Sequence, residues 1–125
     1  MIVGVGVDLV DVARFEKSIS DTPALLQKLF VTNELERRGD SEIVHVRSLA
    51  GRFAAKEAFA KALGAPKGLQ WHEVEVSNDA AGAPFFKISG STAEVASSRG
   101  VKNFHLSISH DGPSAIAFVI AEGGV

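Results

Sequence analysis

The 125-residue sequence contains no cysteine, which excludes a disulfide framework, thiolate nucleophiles and thiolate-bound metal. Any metal must be held by carboxylate, imidazole or hydroxyl groups, and oxygen donors favour a hard ion such as magnesium. A basic block is also missing and the net charge is −2, so the composition carries no footprint for nucleic acid. No apolar run reaches the roughly 18 residues of a membrane span. No basic leader or cleavage pattern precedes the first strand-like run, so a soluble cytoplasmic protein is expected. What is present is an apolar content of 46%, enough for the core of a single domain over 1–125. So short a chain buries proportionally little surface, and self-association is expected.

The pattern changes character along the chain. Ile2 to Val7 alternates β-branched residues with Gly4 and Gly6 and reads as a strand with one bare face. Leu9 to Ser18 reads as a helix with Arg14 and Lys17 exposed, and Pro23 opens a second that runs to Leu29. Thr32 or Asn33 caps a third, with Glu36 closing a capping box and Arg38, Gly39 and Asp40 ending it. Ile43 to Leu63 is the longest helical stretch, stopped by Gly64, Ala65 and Pro66. Strands follow around Val74 to Val76 and Phe85 to Ile88, then a short helix over Ser91 to Ser98. Phe104 to Ser109 and Ser114 to Ala121 form a hairpin about Asp111, Gly112 and Pro113. Helices early and strands late predict an α+β domain with a mainly antiparallel sheet packed against one long central helix.

Three segments carry polar groups in settings that suggest chemistry. Asp8 follows a strand whose glycines admit a ligand or another backbone; it reads either as a metal ligand or as the N-cap of the next helix. In the stretch from Leu49 to Leu63, the large apolar side chains share one side and alanines cover most of the rest. A helix apolar almost all round is buried, and charges on it are costly unless paired. Arg52 and Lys56 lie together on one flank, Glu57 and Lys61 on another, roughly 140° away. Glu57 and Lys61 read as a site, or as an ordinary i,i+4 ion pair. Finally, strand alternation puts His105, Ser107, Ser109 and Asp111 on one face, and Leu106, Ile108 and His110 on the other. The first face suits phosphate oxygens, or is the solvated face of an edge strand.

In order and spacing, these segments resemble the holo-acyl-carrier-protein synthase family of 4′-phosphopantetheinyl transferases. Val3-Gly-Val-Gly-Val-Asp-Leu9 is similar to the family's first strand, and Phe53-Ala-Ala-Lys-Glu-Ala-Phe-Ala-Lys-Ala-Leu-Gly64 to its central helix. His105-Leu-Ser-Ile-Ser-His110 is similar to its penultimate strand. The resemblance implies transfer of phosphopantetheine from coenzyme A to a serine of an apo acyl-carrier protein, in support of fatty acid biosynthesis. It makes Asp8 and Glu57 magnesium ligands, puts Lys61 near the attacked phosphate, and puts His105 near the diphosphate. Gly64, Ser107, Ser109 and His110 join Lys61 and His105 as coenzyme A contacts. The base that takes the serine proton is not fixed by the sequence, with Glu57 and a metal-bound water as the two candidates. Such carriers are acidic, and Arg14, Lys17 and Lys28 are the cations in the early helices. A homotrimer with sites across subunit interfaces is implied, with Asp8 and Lys61 as an example of residues on opposite sides of one. Two readings from other classes compete: a non-catalytic module binding coenzyme A or a nucleotide, and a purely structural trimer.

Overall fold

The structure, a computed structural model, describes residues 1–35 and 42–124. The expected capping role of Glu36 and the helix break at Arg38, Gly39 and Asp40 fall outside the described residues. Five strands and five helices follow in the order β1 (Ile2–Asp11), α1 (Val12–Asp21), α2 (Leu25–Leu29), α3 (Thr32–Leu35) and α4 (Glu42–Ala62). Next come a 3-10 turn (Trp71–Glu73), β2 (Val74–Asn78), β3 (Pro84–Ile88), α5 (Gly90–Ser98), β4 (Val101–Asp111) and β5 (Ser114–Gly123). One sheet has the order β1-β5-β4 and the other is the β2-β3 hairpin, with antiparallel pairing throughout. This is the predicted α+β arrangement, with α4 at its centre.

The first strand runs further than expected. Its alternation continues past Val7 into Leu9, which pairs with Ile116 and is exposed, so the helix predicted from Leu9 starts at Val12. Asp11, and not Asp8, caps that helix: its Oδ1 accepts from the Arg14 amide at 2.9 Å. The N-cap reading of Asp8 is thereby corrected, because an extended residue with three strand residues after it has no helix to cap.

Gly4 and Gly6 serve close backbone approach, and what approaches is α4 of the same chain. A Cβ on Gly4 would lie 1.9 Å from the Ala62 carbonyl oxygen, and one on Gly6 equally near that of Ala58. Ala54, Ala58 and Ala62 on the helix and Ala115, Ala117 and Ala121 on β5 are all buried where α4 packs on the sheet. Small residues on both sides let helix and sheet pack at short range, leaving few voids. Beyond this seam Phe59 packs on Phe104 and Phe86, with ring centroids 4.5 and 5.1 Å away.

The charges of the other α4 flank are buried and paired. Lys56 Nζ lies 2.7 Å from Glu34 Oε1 with neither side chain exposed, and Arg52 donates to the Glu34 carbonyl and to Asn78 Oδ1. Burial pushes the Lys56 ammonium down from the usual lysine range, and Glu34 opposes that shift.

Candidate active site

Asp8 lies on the helix-facing side of β1, in line with the two glycines. The side chain therefore meets α4 where Glu57 and Lys61, one turn apart, emerge beside the seam. Lys61 Nζ donates to Asp8 Oδ1 at 3.1 Å and to the Val7 carbonyl at 3.0 Å. Lys61 has thus turned to β1, and the alternative reading of Glu57 and Lys61 as an i,i+4 ion pair is not what the side chains adopt. Glu57 is half-buried, and among the described residues no hydrogen bond is made to its carboxylate. Burial pushes its pKa up, the Asp8 carboxylate pushes it further, and Lys61 partly offsets both.

The two carboxylates open onto a cavity of about 570 Å³, which Arg14, Lys28, Phe53 and Trp71 also line. Like charges brought together in a partly dry site favour a cation between them. Among the described residues no cluster of three or more histidine or acidic side chains could enclose a metal. Two carboxylates alone would suit an ion that keeps waters and takes substrate oxygens, as magnesium does.

The penultimate strand divides as its alternation predicted. His105, Ser107 and Ser109 lie across β5 from Val5, Val7 and Leu9, on the sheet face turned away from α4. His105 Nε2 pairs there with Glu122 Oε1 at 3.0 Å. Within one chain the sheet stands between these residues and the Asp8–Glu57–Lys61 cluster. His110 lies on the helix side, bonded to the Arg47 carbonyl at 2.8 Å. It lines a second cavity, of about 350 Å³, with Arg47, Arg52, Asn78 and Pro84. Gly64, in the left-handed region at φ +84°, closes α4 beside a third cavity that includes Lys61 and Arg99. Of the early-helix cations, Arg14 and Lys28 line the first cavity, whereas exposed Lys17 pairs with Asp21 at 2.8 Å.

Sequence reasoning missed Glu34, Trp71 and the cationic cavity around Arg47. The cost of burying Arg52 and Lys56 signalled that a partner exists. Its identity depends on contacts across 18 and 22 residues, to which periodicity is blind.

A family model described as the 4′-phosphopantetheinyl transferase superfamily matches residues 4–119. A holo-acyl-carrier-protein synthase of Clavibacter sepedonicus is 51% identical, over 98% of this chain and 98% of its own length. The crystal structure of the Neisseria meningitidis synthase superposes with a TM-score of 0.87 at 30% identity, covering 98% of this chain and 99% of that one. A Bacillus anthracis synthase crystallised in complex with CoA (3′,5′-ADP) gives 0.78 at 32% identity, covering 99% of both chains.

Proposed function

This chain belongs to the holo-acyl-carrier-protein synthase family, and on that premise we propose that it is a magnesium-dependent, trimeric transferase of phosphopantetheine acting in the cytoplasm. Coenzyme A is the donor, a serine of apo acyl-carrier protein is the acceptor, and the holo carrier serves fatty acid synthesis. The observation that carries the reading is the meeting of Lys61 with Asp8 beside Glu57, from two segments about 50 residues apart in the sequence, with both carboxylates lining one cavity. A module that only bound coenzyme A would gain nothing from two carboxylates that repel each other beside a phosphate site.

In the transfer, the serine oxygen forms a bond to the phosphorus bearing pantetheine, and the diphosphate bridge breaks to release adenosine 3′,5′-bisphosphate. Asp8 and Glu57 would hold a magnesium ion, whose chemistry when bound is to neutralise charge on the diphosphate. Lys61 adds a positive charge beside Asp8, where negative charge develops on the transferred group. Glu57 or a water beside it would receive the serine proton. Arg14 and Lys28 at the cavity mouth fit an acidic carrier, with Lys17 farther out. The cations around Arg47 and His110 fit the phosphates of coenzyme A, as Gly64, His105, Ser107 and Ser109 do on the resemblance.

The test is mass spectrometry of an apo carrier after incubation with this protein, coenzyme A and magnesium. A carrier heavier by one phosphopantetheine group is expected, and Arg14→Glu should raise the KM for carrier with that for coenzyme A little changed. An unmodified carrier would end the transferase reading.

Assembly is supported by an open apolar face. Val3, Val5, Val7, Leu9, Ile116 and Phe118 are each at least 40% exposed on the side of the sheet away from α4. A contiguous apolar surface of this kind is rare on a monomer. That same face carries His105, Ser107 and Ser109, so packing copies through it and past the open β1 edge would bring one chain's His105 toward another's Asp8. Asp8 and Lys61, by contrast, touch within one chain and do not lie on opposite sides of an interface as expected. Light scattering should therefore give three times the chain mass, and Phe118→Arg should lower it to one chain and abolish transfer. Inactive Asp8→Asn and His105→Ala chains should regain partial activity when reassembled together. A fully active monomer would contradict this assembly.

A further inference from the structure

Lys56 and Glu34 are fully buried, and nothing in the transfer uses them. The Lys56 ammonium directs its three donors at Glu34 Oε1 and the Leu29 carbonyl, both at 2.7 Å, and the Trp71 carbonyl at 3.0 Å. Glu34 uses both oxygens. Oε1 also accepts from the Val31 amide at 3.0 Å, and Oε2 from the Val76 amide at 2.9 Å. One ion pair thus ties α4 to the end of α2, the start of α3, the 3-10 turn and β2. Taking two charges out of water is costly, and apolar residues of like volume hold a core as well or better. Stability is therefore a poor reason for the pair. What it supplies, and leucine does not, is fixed direction and reach between segments.

The tied segments have a functional address. Leu25, Lys28, Leu29 and Trp71 line the cavity that Asp8 and Glu57 open onto. Lys56 and Glu57 are neighbours on α4, about 100° apart round its axis. One residue anchors the wall while the next projects into the cavity. The wall offers one cation and an apolar surface, the chemistry that receives an acidic, amphipathic protein segment.

We propose that the buried Glu34–Lys56 pair is a positioning device that fixes the α2–Trp71 wall relative to Glu57 and so sets how tightly the acyl carrier docks over the cavity. This rests on the transferase reading above, yet one of its readouts needs no substrate. Trp71 is the only tryptophan of the chain, so its fluorescence reports the wall directly.

The experiment compares wild type with the double variant Glu34→Leu/Lys56→Met, which removes both charges together and leaves none unpaired. The variant should fold cooperatively with Trp71 quenched by acrylamide about twice as readily. Its carrier KM should rise about tenfold, while kcat stays within about threefold. A folded double variant with wild-type quenching and carrier KM overturns the proposal, as does a fall in kcat with KM unchanged. Should the double variant not fold, Glu34→Asp keeps both charges but shortens the reach, and the same outcomes judge it. A wild-type protein that transfers nothing would count against the transferase reading alone, since the quenching comparison still decides whether the pair positions the wall.

Discussion

Glu57→Gln should remove nearly all transfer activity and at the same time raise the melting temperature measured without divalent cations. The loss follows from taking away one of two carboxylates at the centre. A hundredfold fall or more corresponds to about 2.7 kcal/mol or above in the barrier, in the range of a lost preorganised electrostatic contact. Asp8→Asn should be comparably inactive. The stabilisation follows from the sign of the pKa shift. Glu57 holds its proton more tightly folded than unfolded. Folded protein therefore binds more protons than unfolded protein between the ordinary glutamate value and the raised one, and stability falls as pH rises through that window. Glutamine removes this burden. The wild type should gain stability as pH is lowered through the window, and the variant should lack that gain. Chelator should abolish wild-type turnover, and magnesium or manganese should restore it. Full activity of Glu57→Gln in excess chelator would remove Glu57 from the metal and from the chemistry.

Lys61→Met should lower kcat by something like a hundredfold, again about 2.7 kcal/mol, with little change in melting temperature. The lysine side chain is 53% exposed and Asp8 is 19% exposed. An ion pair this open to solvent contributes in the range of about 0–1 kcal/mol to stability. The sequence put this lysine on a helix read as buried, where removing its charge would leave melting little changed or raise it. The structure shows a solvated one bridging two segments, so relief is no longer expected. The contrast between a large kinetic and a small thermodynamic effect separates a group that stabilises developing charge from one that fastens α4 to β1. Near-normal kcat in Lys61→Met would reduce it to that fastening role.

These two residues also show how far the sequence could be read. Their position on an alanine-rich helix marked them, since charges in such a setting need a partner. Which partner each had was not readable. Glu57 and Lys61 stand at the spacing of a favoured helical ion pair, yet Lys61 points to Asp8, because the glycine seam brings β1 within reach. Gly4 and Gly6 announced a close approach, but not whether a ligand, a second subunit or the chain's own helix would make it. The N-cap reading of Asp8 failed for the same reason: strand pairing with β5 extends to Asp11 and delays the helix, and no local propensity reports a pairing about 100 residues away.

The sequence alone determined the elements and the chemistry on offer. Periodicity, turn residues and helix stops are local, and an absence of cysteine is absolute, so strands, the long central helix and the exclusion of thiolate chemistry followed from composition and spacing. Tertiary structure decided which side of the sheet each group occupies. It placed Asp8, Glu57 and Lys61 together, put His105 behind the sheet from them, and buried Lys56 against Glu34. The physical reason is that facing and partnership come from contacts between segments far apart in the chain, where loop closure and packing govern the outcome and a residue's neighbours in sequence carry no record of it.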